Sequence, residues 1–180
     1  ATVLTCAADA TLFASLLFGA LFLWLVAPGW PPPSPAAPGI AFAASCGLAL
    51  LASTFFGRRA MAALRGGASP AAWLAACAGA QAAAALLFGL MAAGVPEPTA
   101  HAHHATVFVI LIYGGIRAGI GALFACYGLW RGHAGYLSAR RSLDLRIGRL
   151  WHDYAAISGF VVLAATALTA FLAGSVEAGR

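Results

Sequence analysis

The stretch Ala105–Trp130, ATVFVILIYGGIRAGIGALFACYGLW, decides the fold class. It is continuously apolar and carries one charge, Arg117. A helix needs about 20 mostly apolar residues to cross a hydrocarbon core of about 30 Å, and this run exceeds that. Barrel strands would alternate apolar and polar over segments of about ten residues, and this run does not. Outward from it, four more runs read the same way. The expected spans are 4–27, 39–57, 71–95, 105–130 and 150–173. The stops are Pro28-Gly29, Arg58-Arg59 and Pro96, and Pro70 opens the third run. Composition agrees: 62% of the 180 residues are hydrophobic and 8% charged. A soluble domain has about 25% charged residues, and disorder needs low hydrophobicity with high charge, so both classes are excluded. The fold expected is all-α: a polytopic membrane protein, five transmembrane helices in one bundle, forming a single domain over residues 1–180. The first run has no basic n-region and no cleavage pattern, so it is expected to be a span rather than a signal peptide.

The net charge is +5, with no lysine and ten arginines. Arg58, Arg59 and Arg65 follow the second run, and Arg131, Arg140, Arg141, Arg146 and Arg149 follow the fourth. The connectors Pro28–Pro38 and Pro96–His104 hold no Arg. This asymmetry predicts a cytoplasmic N-terminus and an extracytoplasmic C-terminus. It argues against nucleic acid as a partner, since most of the charge falls in two short stretches and not on one basic face. Trp24, Trp30, Trp73, Trp130 and Trp151 lie near span ends, as interfacial aromatics do. Trp30–Pro35 is expected to be a stiff connector, because its prolines favour extended polyproline conformations. Ala82–Ala85 and Gly114-Gly115 with Gly119 and Gly121 are the clearest small faces for close helix packing.

Ionisable groups within a span are costly and mark functional or structural sites. Asp9 is one, read either as a proton-linked or structural carboxyl facing a neighbour, or as an acid reaching water near the interface. It is expected to be at least partly protonated at neutral pH, a state that only a close Arg would reverse. Arg117 is the second, with Asp9 and Asp153 as candidate partners in this chain. Gln81 is expected to bond between helices. Arg58, Arg59 and Arg65 are candidate contacts for lipid phosphate by charge alone. Cys6, Cys46, Cys77 and Cys126 lie in apolar runs without ligand spacing and read as packing residues. His101, His103 and His104 cluster at one end of the fourth span, whereas His152 begins the fifth. They are expected at opposite faces, at headgroup level or solvated, so no pair is expected to hold a haem. No metal and no catalytic constellation is expected.

Several stretches resemble subunit III of the haem-copper cytochrome c oxidases, in its five-helix form, and especially the subunit III-like part of bacterial fused subunit I+III chains. Ala8–Phe13 resembles the family's Ser-Glu-x-x-x-Phe entry to a helix, with Asp9 in place of the Glu. Trp30-Pro31-Pro32 resembles its Trp-Pro-Pro loop, and Ser45–Thr54 the hydroxyl-rich start of the next helix. Arg131-Gly132-His133 and the tract Arg140–Arg149 resemble the basic loop before the last helix. Trp151, His152 and Asp153, with Tyr154, resemble the opening of that helix in Tyr-Trp-His-Phe-Val-Asp. The family's His-Gly-Leu-His falls at Gly114–Arg117, where both histidines are absent.

The resemblance implies an accessory, non-catalytic component of a cytochrome c or quinol oxidase in a bacterial inner membrane. Such a subunit packs on subunits I and II, binds phospholipid and supports proton uptake during aerobic respiration. It implies no cofactor in this chain, with haem and copper in the partner subunits, and association through them with a larger respiratory supercomplex. Asp9 matches the family's lipid-cleft carboxylate. The alternative reading is a small b-type cytochrome membrane subunit of another respiratory complex.

Overall fold

The computed structural model describes residues 2–26 and 38–178, with side chains as far as residue 168. The connector Trp30–Pro35 and its Trp-Pro-Pro lie outside the described residues. The described chain is all-helical: α1 (Thr2–Val26), α2 (Ile40–Arg65), α3 (Ala71–Ala93), α4 (Ala102–His133) and α5 (Leu143–Ala178). The first four are long and apolar enough to cross a membrane. In α5 the charged residues Asp144, Arg146, Arg149 and Asp153 precede an apolar stretch that runs past residue 168.

α2, α4 and α5 outrun the expected spans, whereas α3 stops at Ala93, two residues short of its own. α2 continues through Arg58 and Arg59 to Arg65, and α5 begins two turns before Leu150. Charge ends a membrane span but not a helix, because arginine is a good helix former. α2 stops instead at Gly66-Gly67, where Gly67 has φ +75°, a conformation glycine takes at little steric cost. Gly135, at φ +74°, turns the chain after α4 in the same way. Arg58, Arg59 and Arg65 therefore project from helix.

α2, α3, α4 and α5 pack as a ring, each mainly against its two neighbours in the order 2-3-4-5 and back to 2. The core holds Leu50, Phe88, Leu111 and Val162, all fully buried. A second apolar cluster, Met61, Leu64, Leu74 and Leu145, closes the end where α2 meets α3 and α4 meets α5. That end carries eight arginines on α2, α4, α5 and the turn before α5. Close approach comes from the small faces. A Cβ on Gly114 would stand 3.0 Å from the Phe88 ring, and one on Gly121 2.8 Å from Gln81 Cδ. Gly119 and the Ala82-Ala83 pair face outward instead, with nothing near a Cβ at Gly119.

α1 stands apart. It packs mainly on the α4–α5 edge of the ring, and Phe13 is its one fully buried residue among those described, with Leu17 and Ala20 partly buried against the core. Above Phe13, α1 lines an apolar cavity of about 190 Å³ with α4 and α5, between Leu17–Trp24 and His103–Ile110.

Candidate functional site: the Asp9–Arg117 clasp

Asp9 of α1 and Arg117 of α4, both singled out in the sequence, converge, and Tyr154 of α5 joins them. Asp9 faces the bundle, its side chain 20% exposed, while that of Arg117 is 2% exposed. Arg117 Nε donates to Asp9 Oδ2 at 2.7 Å, and Nη2 reaches the Asp9 backbone carbonyl at 3.4 Å. The hydroxyls of Tyr113 and Tyr154 donate to the two carboxylate oxygens. One carboxylate thus receives donors from α4 and α5 at once. The guanidinium carbon stands 4.2 Å from the ring centres of Phe13 and Tyr113, and 5.3 Å from that of Tyr154. Arg117 Nη1 has no hydrogen-bond partner among the described residues. The ring faces supply the negative potential there, and such contacts strengthen when desolvated.

Of the two candidate partners for Arg117, Asp9 is the one the fold supplies. Asp9 was expected to be at least partly protonated; instead it is paired at 2.7 Å with Arg117, the close Arg that would reverse that. Asp153 goes elsewhere: it accepts from Arg58 at 3.2 Å and lies 4.0 Å from Arg149. Arg131 pairs with Asp144 at 3.0 Å.

Trp151 was expected at the membrane surface. It is 5% exposed, and its indole N–H donates to the Arg117 carbonyl at 3.0 Å. α5 begins well before Leu150, which carries Trp151 inside the bundle. His152 is buried as well. Its Nε2 lies 2.9 Å from the Gly121 carbonyl and its Nδ1 3.5 Å from Cys77 Sγ. Cys77 in turn reaches the Ser53 carbonyl at 3.3 Å, and Gln81 Nε2 donates to Ser53 Oγ at 2.9 Å. Gln81 thus bonds from α3 to α2. Gly57 admits the imidazole, since a Cβ there would sit 3.2 Å from Nδ1.

His103, His104 and His152 are buried against the bundle and not solvated. His101 caps α4, its Nδ1 accepting from the His103 amide at 3.0 Å. Nor are all the cysteines buried, because Cys126 is exposed and Cys6 partly so. No group of three or more His, Cys, Asp or Glu side chains is placed to hold a metal among the described residues.

No family model and no curated protein matches the chain.

Sequence reasoning missed Tyr113 and Tyr154 as partners of Asp9, and Ser53 and Cys77 as partners of Gln81 and His152. Spacing contains a partial signal for the tyrosines. Tyr113 lies four residues before Arg117, on the same helical face. Phe13 lies four after Asp9 in the same way. Chemically the clasp is an ion pair with two phenol donors in an apolar surround. It holds a charge, ties three helices and exposes the rim of one carboxylate.

Proposed function

We propose that this chain is an accessory, non-catalytic membrane subunit of a haem-copper terminal oxidase, similar to cytochrome c oxidase subunit III. One observation carries the reading. The stretches that bear the resemblance at the two ends of the chain, Ala8–Phe13 and Trp151–Tyr154, meet at a single junction through Asp9, Tyr154 and Arg117. In an unrelated apolar bundle nothing would require those two stretches to meet at a buried ion pair. On this reading all five helices cross a bacterial inner membrane. The arginine-bearing end faces the cytoplasm, as positive loops do.

The role of the chain is then to pack on a larger subunit, with subunit II and a supercomplex beyond, to hold phospholipid and to support proton uptake. Haem and copper belong to its partners. The large exposed apolar side chains of α1, such as Phe18, Leu21 and Phe22, offer surface for lipid or for that partner.

Purification of the tagged chain from its native membrane tests the proposal. A haem-copper subunit I should accompany it at fixed stoichiometry. Removing the chain should leave the oxidase's haem spectrum unchanged while lowering turnover or its persistence. A haem retained by the purified chain and lost in His104→Ala or His152→Ala would instead make it a b-type cytochrome.

A further inference from the structure

Arg58 and Arg59 are adjacent in sequence and have different fates. Arg58 turns toward α5 and pairs with Asp153. Arg59 projects outward, and no carboxylate pairs with it among the described residues. Its guanidinium lies 5.4 Å from the Phe55 ring centre and 5.8 Å from that of Trp73 on α3. The two rings meet edge to face, 6.5 Å apart. They hold the guanidinium against an apolar shelf and leave its edge open.

Below the shelf, the outer face of α2 continues as Phe55, Leu51 and Leu48, which are 51%, 52% and 67% exposed. From Leu48 to Arg59 the helix rises about 16 Å, at about 1.5 Å per residue. Half of a hydrocarbon core of about 30 Å is about 15 Å. The apolar stripe is therefore one leaflet deep and ends in an unpaired cation at headgroup height.

From this geometry we infer that α2 and α3 form a binding site for one anionic glycerophospholipid of the leaflet at the arginine-bearing end. The phosphate sits on Arg59 and an acyl chain lies along Phe55, Leu51 and Leu48. A free phosphate ion would use the guanidinium and leave the stripe without a role. An acidic protein segment at headgroup height would do the same. The site deepens the lipid-holding part of the proposed function. It rests on the chain's lying in a membrane and not on its belonging to an oxidase.

The test uses the full chain in nanodiscs of phosphatidylcholine containing phosphatidylglycerol, with retained lipid read by native mass spectrometry after release. The wild type should retain phosphatidylglycerol over phosphatidylcholine by about fivefold, the effect of one basic residue at an anionic surface. Arg59→Ala should remove that preference. Arg58→Ala should reduce it less than Arg59→Ala does, because that guanidinium bonds Asp153 and does not lie on the Phe55–Trp73 shelf. Arg59→Lys keeps the charge but loses the planar fit, and should retain an intermediate share. The site is overturned if Arg59→Ala retains phosphatidylglycerol as the wild type does. It is also overturned if inorganic phosphate alone displaces the lipid signal. Association with an oxidase should be unchanged in Arg59→Ala, so failure of the lipid site and failure of the oxidase reading are separate results.

Discussion

Asp9→Asn is the perturbation that asks most of this structure. It keeps the shape of the side chain and removes its charge. Arg117 would then stand 2% exposed, with three aromatic rings around it and no counter-charge. Two effects compete in size. Interhelical hydrogen bonds in membranes contribute about 0.6 kcal/mol each, so the two tyrosine bonds amount to about 1.2 kcal/mol. Stranding a buried charge by removing its partner costs about 3–5 kcal/mol. Asp9 is one-fifth exposed, and the rings still face the guanidinium, so about 2–3 kcal/mol is the better figure. The charge outweighs the phenols. The cost falls on α1, which otherwise buries Phe13 fully and only part of Leu17 and Ala20. The equilibrium between docked and undocked α1 should shift by roughly 30- to 150-fold, at about 1.4 kcal/mol per tenfold.

A detergent titration can measure this. Labels at Leu21 and Leu168, which line the same cavity, report the separation of α1 from α5. A label pair on α2 and α3 reports the bundle itself. Asp9→Asn should lower the α1 midpoint and leave the bundle midpoint in place. Adding Arg117→Met should restore part of the loss, since neither charge is then left alone. Midpoints for Asp9→Asn within about 0.5 kcal/mol of wild type, with no coupling to Arg117→Met, would refute the clasp as the anchor of α1.

The remaining predictions concern other contacts. Tyr113→Phe and Tyr154→Phe should each cost about 0.6 kcal/mol in the same titration, well below Asp9→Asn. Gly121→Ala sets a Cβ 2.8 Å from Gln81 and should cost about 1–3 kcal/mol in bundle stability by detergent midpoint. Gly119→Ala, which meets nothing within 4 Å, should be neutral or slightly stabilising on that scale. Cys126 is exposed, while Cys46 and Cys77 are fully buried. A membrane-permeant maleimide should therefore modify Cys46 and Cys77 only after denaturation; early labelling of Cys77 would contradict its packing against His152. Single cysteines at Ser69 and Ser138 should label from one side of the membrane, because the α2–α3 and α4–α5 turns share an end.

Hydrophobic run length alone determined the number and order of the helices, though not their ends, because a span without water must satisfy its own backbone bonds and only a long apolar run can do so cheaply. The alternation of the five runs likewise put both basic connectors at one end. It could not place Arg58 or Arg59 on a helix rather than a loop, since helical hydrogen bonding does not stop where the apolar environment does. Asp9, Gln81 and Arg117 stood out in the sequence because polar atoms inside a span are expensive. Their partners did not, because a tyrosine, serine or cysteine in an apolar run carries no such penalty and reads as packing. Trp151 and His152 were placed at the membrane surface by their position in the chain, but the early start of α5 puts them inside the bundle. Which acid meets Arg117 was decided by tertiary structure alone. Asp9 and Asp153 are equivalent by residue type, and only the seating of α1 on the α4–α5 edge sends one to Arg117 and leaves the other to Arg58.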